Sequence, residues 1–286
     1  MATAYDAVYH GILRNLLSET KEESSIMEDE IEVLKRKLQV SKTVNVLNVS
    51  SMSRVDEDEL TRILKALDLN TRFLPCYSHP DDFGNVQDAA LNVSICATHD
   101  DYFVEHIKDI FGLPFILKTI PIGIKHTNIW IRDIAKFFGI EEAAEKFIES
   151  ETRQLEEAIA PFKKILKGKK VFLAGGEIRV VTTAELLQSL GMEVTGMKGY
   201  HFDKFGNELL EELPGNDDIP VFPIFGQTIN YLGYQGVFEF ARRIARLLRN
   251  PSFNENISEN TRLPYHKEWY KDDPFKYIDQ SEALIG

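Results

Sequence analysis

From residue 44 onward, short apolar runs alternate with amphipathic segments of helical length. The runs TVNVLNVS, TRFLP, LNVSICAT and PFILKT are typical of strands, and KKVFLAGG, MEVTGMKG and DIPVFPIFG repeat the pattern later. Segments such as DEDELTRILKALDL, with its acidic first turn, separate them. Buried strands that alternate with helices form parallel sheets covered by helices on both faces. The sequence therefore predicts an α/β protein.

The chain of 286 residues, 43% of them apolar, is long enough for two cores, because single domains usually hold roughly 100–200 residues. We predict two Rossmann-like domains, each a doubly wound parallel sheet, with a helical arm before them and a long helical bridge between them. Within the bridge, Pro161 predicts a kink or break. The predicted segments are an arm at 1–40, a first domain at 41–138, bridging helices at 139–168, a second domain at 169–250 and an irregular tail at 251–286.

Composition excludes several classes of protein. The net charge of −12 opposes binding to nucleic acid and to anionic membrane surfaces. No apolar run approaches the roughly 20 residues that a membrane helix needs, and MATAYDAVYH has no basic segment leading into an apolar one, as a secretion signal would. Two cysteines, Cys76 and Cys96, do not form a disulfide scaffold. We expect a cytoplasmic protein with no nucleic acid or membrane partner.

Cys96 is the first candidate site residue, because it follows a buried strand in the segment CATHDD. Open α/β sheets bind ligands beyond the carboxyl ends of their strands, where helix amino termini converge. A cysteine at such a terminus has its thiolate stabilised, which suits metal or cluster ligation and redox chemistry. The alternative is a small buried core residue. Taken alone, His99 is expected to be a surface or helix-capping residue.

The glycine pair in LAGGEIR is a second candidate. Gly175 and Gly176 allow the backbone to approach a ligand closely, and Arg179 can pair with a carboxylate. A plain tight turn explains the same residues. The full G-x-G-x-x-G spacing is missing, so we predict no bound nucleotide.

A third candidate is the loop IFGQTINYLGYQG. Its residues Gln227, Tyr231 and Tyr234 are predicted to line a pocket, and the alternative is a loop that only packs to close a domain. Cys76, followed by His79, is a weaker candidate. The sequence contains no P-loop, HExxH, CxxC or G-x-S-x-G pattern, which removes the commonest kinase, zinc-site and hydrolase interpretations.

Several ordered segments together carry a resemblance to a known family. They are LNVSICATHDDYFVEHIKDIFGLPFI, PIGIKHTNIWIRDIAKFFG and GKKVFLAGGEIRVVTTAELLQSLGMEVTGMKGY, preceded by VNVLNVSSMSRVDEDELTRILKALDL and followed by GYQGVFEFARRIARLL. Over about residues 41 to 250 the chain resembles the nitrogenase component 1 family of oxidoreductases. That family includes molybdenum-iron protein subunits, cofactor-assembly scaffolds, and reductases of chlorophyll and coenzyme F430 synthesis.

The resemblance implies roles for the candidate residues. Cys96 stands where nitrogenase α subunits have a cysteine that binds their iron-sulfur cofactor, and Gly175 and Gly176 stand where two glycines approach it. Those subunits also use a histidine from the loop before the last helix, and here PVFPIFGQTINYLGYQG holds none. Family members normally begin with a further cysteine-bearing α/β domain, whose last helix AYDAVYHGIL resembles. Because the loop supplies no histidine, the resemblance does not extend to the two-point anchoring of a nitrogenase-type cofactor.

As an activity, the resemblance implies an oxidoreductase subunit or fragment with an iron-sulfur cluster or nitrogenase-type metallocluster. It would take electrons from a P-loop iron-sulfur ATPase reductase and act on a substrate or metallocofactor in the cleft between its domains. Arg179, Gln227 and Tyr231 would shape the pocket. The implied partners include a homologous component 1 subunit or a second copy of the chain. Two alternatives stay open: a non-catalytic scaffold that holds a metallocofactor or tetrapyrrole, and an interaction domain without a site.

Overall fold

The computed structural model describes residues 2–17, 38–48, 54–75, 78–95, 97–117, 120–199 and 231–249. Helices and strands follow one another along these residues as α1 (Ala2–Asn15), β1 (Thr43–Leu47), α2 (Arg54–Ala66), β2 (Asn70–Leu74), α3 (Pro80–Phe83), β3 (Leu91–Ser94), α4 (Ala97–Phe111), β4 (Phe115–Ile116), α5 (Gly123–Phe138), α6 (Glu141–Leu166), β5 (Lys170–Gly175), α7 (Glu177–Ser189), β6 (Glu193–Gly199) and α8 (Gly233–Arg249). The predicted α/β class is confirmed.

The first sheet contains four parallel strands in the order β2-β1-β3-β4. The chain moves from β1 to β2 on one side and then returns to place β3 on the other side of β1. The direction of winding therefore reverses between β1 and β3, and open α/β sheets form their ligand crevice at such a reversal. Asn48 follows β1 and Ser94 ends β3, so both residues lie at this edge.

The second sheet pairs β5 with β6 in parallel, from Lys170 opposite Glu193 to Gly175 opposite Gly199. The long helix α6 leads into it. This helix continues through Pro161, so the predicted break is absent. Proline removes one backbone N–H, and Pro161 lies on an exposed part of the helix, where the unpaired carbonyl can bind water.

One apolar cluster joins the two sheets. It contains Val44 and Val93 of the first sheet, Leu173 of the second, and Val237 and Phe240 of α8. The last helix, α8, packs on α6, α5 and α2, while α7 packs on α5 and on both strands of the second sheet. The two units are therefore held together by buried helix faces, with α5 between α7 and α8.

A second apolar cluster covers the opposite face of the first sheet. Helix α1 packs on α4 there, and Tyr9 stacks on Phe103 with ring centroids 4.5 Å apart. The described part of the predicted arm is thus a covering helix of the first sheet. In the described part of the chain, no helix is both long and apolar enough to cross a membrane. The predicted domain boundaries stay predictions.

Candidate functional site

The predicted glycine turn joins β5 to α7. Gly175 is the last residue of β5, and Gly176 is the residue that precedes the first turn of α7. A Cβ atom on Gly175 would lie 3.3 Å from Cγ2 of Val180, a tight contact with the helix that follows. The turn therefore needs a small residue at 175 for helix–strand packing, which is compatible with both the ligand-binding and the tight-turn interpretations.

Arg179 and Tyr231, which were predicted from separate segments, lie close to each other. Tyr231 is 2% exposed, and its hydroxyl shares a hydrogen bond with Thr183, one turn after Arg179 on α7. Burial raises the pKa of Tyr231, although the hydrogen bond with Thr183 and the nearby Arg179 guanidinium act in the opposite direction. The phenol is therefore neutral and fixed at the junction of α7 with the start of α8.

A buried carboxylate holds the backbone before α8. Oδ1 of Asp56, in the first turn of α2, accepts hydrogen bonds from the N–H groups of Tyr231 at 2.6 Å and Leu232 at 2.7 Å. Asp56 is completely buried. Charged acceptors make stronger hydrogen bonds than neutral ones, and helix amino termini favour negative charge. Asp56 therefore determines where Tyr231 lies.

Glu59, one turn further along α2, binds the backbone of α8 in the same way, and we call Asp56 and Glu59 together the clamp. Its Oε1 accepts hydrogen bonds from the N–H groups of Tyr234 at 3.0 Å and Gln235 at 3.2 Å, inside the first turn of α8. The guanidinium of Arg62 joins Glu59 to Glu151 of α6, and these hydrogen bonds, that to Glu59 foremost, raise the pKa of Arg62. The single guanidinium of Arg62 therefore bridges two carboxylates, and α2, α6 and α8 are tied together at one point.

The remaining predicted residues divide into two groups. Cys96, Gln227 and Cys76 lie outside the described residues, as does the side chain of His99. The others have defined structural roles: His79 caps α3 by accepting from the N–H of Asp81, and the Tyr234 hydroxyl donates to Asn128 at 2.6 Å. The roles predicted for Cys96, Gly175, Gly176, Arg179, Gln227 and Tyr231 stay predictions.

A polar cluster occupies the edge where winding reverses. The carboxylate of Asp100, in the first turns of α4, accepts hydrogen bonds from Tyr9 at 2.6 Å, Asn48 at 3.2 Å and Ser94 at 2.5 Å. Burial raises its pKa to about 6, although all three hydrogen bonds favour the ionised form. The cluster joins α1, β1, β3 and α4 a few residues after Cys96 in the sequence.

The raised pKa of Asp100 predicts a specific pH dependence of stability. The folded chain binds this proton more tightly than the unfolded chain, whose aspartate pKa is near 3.9. The stabilising contribution of the protonated carboxyl is complete below about pH 4 and is lost as the pH rises through about 6. Relative to Asp100→Asn, the free energy of unfolding of the wild type should fall by roughly 3 kcal/mol over that window.

Urea unfolding followed by circular dichroism measures this difference. The pH should run from about 4 to about 8, which is roughly two units on either side of the folded pKa. Asp109→Asn is the matched control, because Asp109 is an exposed carboxyl on the same helix and is not among the causes of the raised pKa of Asp100, so this variant should keep the wild-type pH dependence. Parallel curves for wild type and Asp100→Asn would contradict the assigned pKa.

The sequence interpretation missed the residues that organise the site, namely Asp56, Glu59, Asp100 and Thr183. A carboxylate three residues after another in an otherwise amphipathic helix is common on surfaces, so the spacing of Asp56 and Glu59 gave no signal of burial. Among the described residues, no group of three or more histidine, cysteine or acidic side chains is arranged to hold a metal ion.

The sequence profile of the nitrogenase component 1 type oxidoreductases matches residues 1–219. The chain is 32% identical over 147 residues to the nitrogenase iron-molybdenum cofactor biosynthesis protein NifE of Rippkaea orientalis (strain PCC 8801 / RF-1), covering 50% of this chain and 29% of that protein. It is 36% identical over 116 residues to the nitrogenase molybdenum-iron protein alpha chain of Acidithiobacillus ferridurans, covering 39% and 23%. It is 28% identical over 198 residues to a light-independent protochlorophyllide reductase subunit of Prochlorococcus marinus (strain MIT 9515), covering 67% and 37%.

A solved structure of nitrogenase Cp1 at pH 5 shares the fold, with a TM-score of 0.59 and 20% identity over 74% of this chain and 40% of that chain. The chain spans 23% to 37% of the length of the three relatives. The profile covers more than half of the chain, and the resemblance found in the sequence is confirmed. The chain belongs to the nitrogenase component 1 type oxidoreductase family.

Proposed function

We propose that this chain is a subunit, or part of a subunit, of a nitrogenase-like reductase. It receives electrons from an ATP-dependent iron-sulfur reductase and acts on a substrate or metallocofactor between its two α/β units. The observation that carries the proposal is on α7, which begins at the glycine turn and whose Arg179 lies near Tyr231 at the start of α8. The glycine turn lies at the carboxyl end of β5, the edge at which parallel sheets bind ligands.

The described residues fit an anionic metallocluster in part. The amino terminus of α7 has no side-chain cap, since glycine occupies the capping position, and such a terminus favours negative charge. Arg179 adds a cation on the same turn. A thiolate ligand would come from Cys96, which stands between Ile95 and Ala97 in the sequence. When bound, the cluster would supply the electron-transfer chemistry.

The number of cysteines constrains how a cluster is held. Iron-sulfur clusters commonly take four thiolates, and this chain has two cysteines. A cluster bound by thiolates alone therefore requires cysteines from outside these 286 residues, and we propose a homologous subunit or a second copy of this chain as their source. We propose that the working form is such an assembly.

Anaerobic reconstitution with iron and sulfide tests the ligand role of Cys96. We expect the wild type to bind both, Cys96→Ser to lose most of the bound iron, and Cys76→Ser, the matched control with the other thiol removed, to retain it. Iron and sulfide analysis with the visible absorption of the cluster measures the outcome. Equal iron in wild type and Cys96→Ser, or none in the wild type, would remove Cys96 as a ligand.

A scaffold that holds a metallocofactor without turnover is the second candidate. The absence of histidine from residues 220–236 favours it, because the loop then offers no second protein ligand of the nitrogenase kind. The two candidates differ in electron transfer. If the chain is a reductase subunit, its ATP-dependent reductase partner should reduce the bound cluster, which electron paramagnetic resonance detects. If it is a scaffold, the bound cofactor should stay oxidised.

A further inference from the structure

Helix α1 is held to the first sheet chiefly through α4. Among the described helices and strands, α4 is the one on which α1 packs extensively, with Tyr9 and Leu13 in the same apolar cluster as Phe103. Residues 16–42 separate α1 from β1 in the sequence, so no short connection fixes α1 to a strand. Elements with few buried contacts open at a lower free energy than the core of a protein. We therefore expect α1 to open locally.

A buried carboxylate lies under this helix. The hydroxyl of Tyr9 donates to Oδ1 of Asp100 at 2.6 Å, and Asn48 and Ser94 donate to the same carboxylate from the ends of β1 and β3. Asp100 and Tyr9 are both completely buried. Helix α1 therefore supplies one of the three donors and covers the carboxylate.

No cation in the described part of the chain balances the charge of Asp100. The charged group that acts on it is Asp101, the next residue of α4, which opposes ionisation, and β1 and β3 contribute only the neutral donors already named. On α1, His10 turns to Tyr102, with its Nδ1 2.9 Å from that hydroxyl. An ionised carboxylate that is removed from water and has no cation beside it is costly, and contact with water relieves that cost.

We propose that α1 is a pH-controlled latch over the edge of the first sheet, which stays docked while Asp100 is protonated and opens more often once Asp100 is ionised. Opening exposes the carboxylate where β1 and β3 end, at the edge where open α/β sheets bind ligands. Burial raises the pKa of Asp100 to about 6, which places the change close to neutral pH. The latch does not depend on a cluster at Cys96.

The direction and size of the effect follow from two pKa values. Opening returns Asp100 to water, where the pKa of aspartate is near 3.9. The docked state binds the proton more tightly, so docking is fully stabilised below about pH 4 and loses that stabilisation as the pH rises through about 6. The equilibrium constant for opening should therefore rise roughly tenfold from pH 5 to pH 8.

Hydrogen exchange of the full-length protein, corrected for the intrinsic amide rate at each pH, measures this opening. We expect the amides of α1 to exchange faster than those of β1 and β3, and their opening constant to rise about tenfold from pH 5 to pH 8. Asp100→Asn should abolish the rise, because asparagine stays neutral. His10→Gln is the matched control and should keep the rise, although it removes a histidine of α1, a side chain that in general titrates in this range.

Three results would overturn the proposal. In the wild type, α1 amides that exchange no faster than those of β1 and β3 would show that α1 leaves only when the whole protein unfolds, and an opening constant independent of pH would remove the latch. An equal rise in wild type and Asp100→Asn would assign control to another group. If Asp100→Asn does not fold, Tyr9→Phe takes its place. It removes a donor to the ionised carboxylate and should make the rise larger, so an unchanged rise would contradict the latch.

Discussion

Gly236→Ala is expected to destabilise the protein by more than about 3 kcal/mol, because the added methyl group would collide with the backbone. A Cβ atom at this position would lie 2.3 Å from the carbonyl carbon of Tyr231 and 2.4 Å from its oxygen. Neither atom can move without shifting the turn that Asp56 holds. The first turn of α8 would therefore have to leave its place on α2.

Urea denaturation followed by circular dichroism measures this loss. Gly11→Ala is the matched control, because Gly11 lies within α1 and a Cβ atom there would meet nothing within 4 Å. The control should be neutral or stabilising by up to about 1 kcal/mol, since alanine favours helix more than glycine does. A Gly236→Ala protein as stable as the wild type would show that the start of α8 does not approach Tyr231 so closely.

Asp56→Ala has the second large effect expected. Removal of the carboxylate leaves the buried N–H groups of Tyr231 and Leu232 without their acceptor, and each unsatisfied group costs roughly 1–3 kcal/mol. We therefore expect a loss of about 2–5 kcal/mol. Asp56→Asn keeps an oxygen that can accept these bonds, so it should lose less.

Asp58→Ala provides the control for this series, because Asp58 is an exposed carboxylate on the same helix. It should change the free energy of unfolding by less than about 0.5 kcal/mol. Equal losses in the free energy of unfolding for Asp58→Ala and Asp56→Ala would contradict the role of the clamp. Near-ultraviolet circular dichroism adds a local measurement, since Tyr231 should lose its fixed environment in Asp56→Ala well below the unfolding transition.

The backbone at the start of α8 is held by hydrogen bonds from two other elements. Asp56 and Glu59 hold the start of α8 from α2, and the carbonyl of Pro121, just before α5, holds Gly233 of the same turn.

The pattern of apolar residues in the sequence determined the architecture, because buried strands and buried helix faces each need apolar residues at their own spacing along the chain. Strands covered on both faces need continuous apolar runs such as TVNVL, and covering helices need an apolar stripe every three to four residues. For this reason the described strands, the long bridging helix and the α/β class follow from the sequence. Glycine at 175 and 176 likewise marked a turn that the structure contains.

The contacts between distant segments were decided by the tertiary structure. Asp56 and Glu59 look like solvated charges in the sequence, and only the packing of α8 on α2, about 175 residues away in the chain, makes them caps of buried N–H groups. The same holds for Asp100, whose three partners come from α1, β1 and β3. A sequence shows periods along the chain, but the burial and pairing of a polar group depend on which segments meet in space.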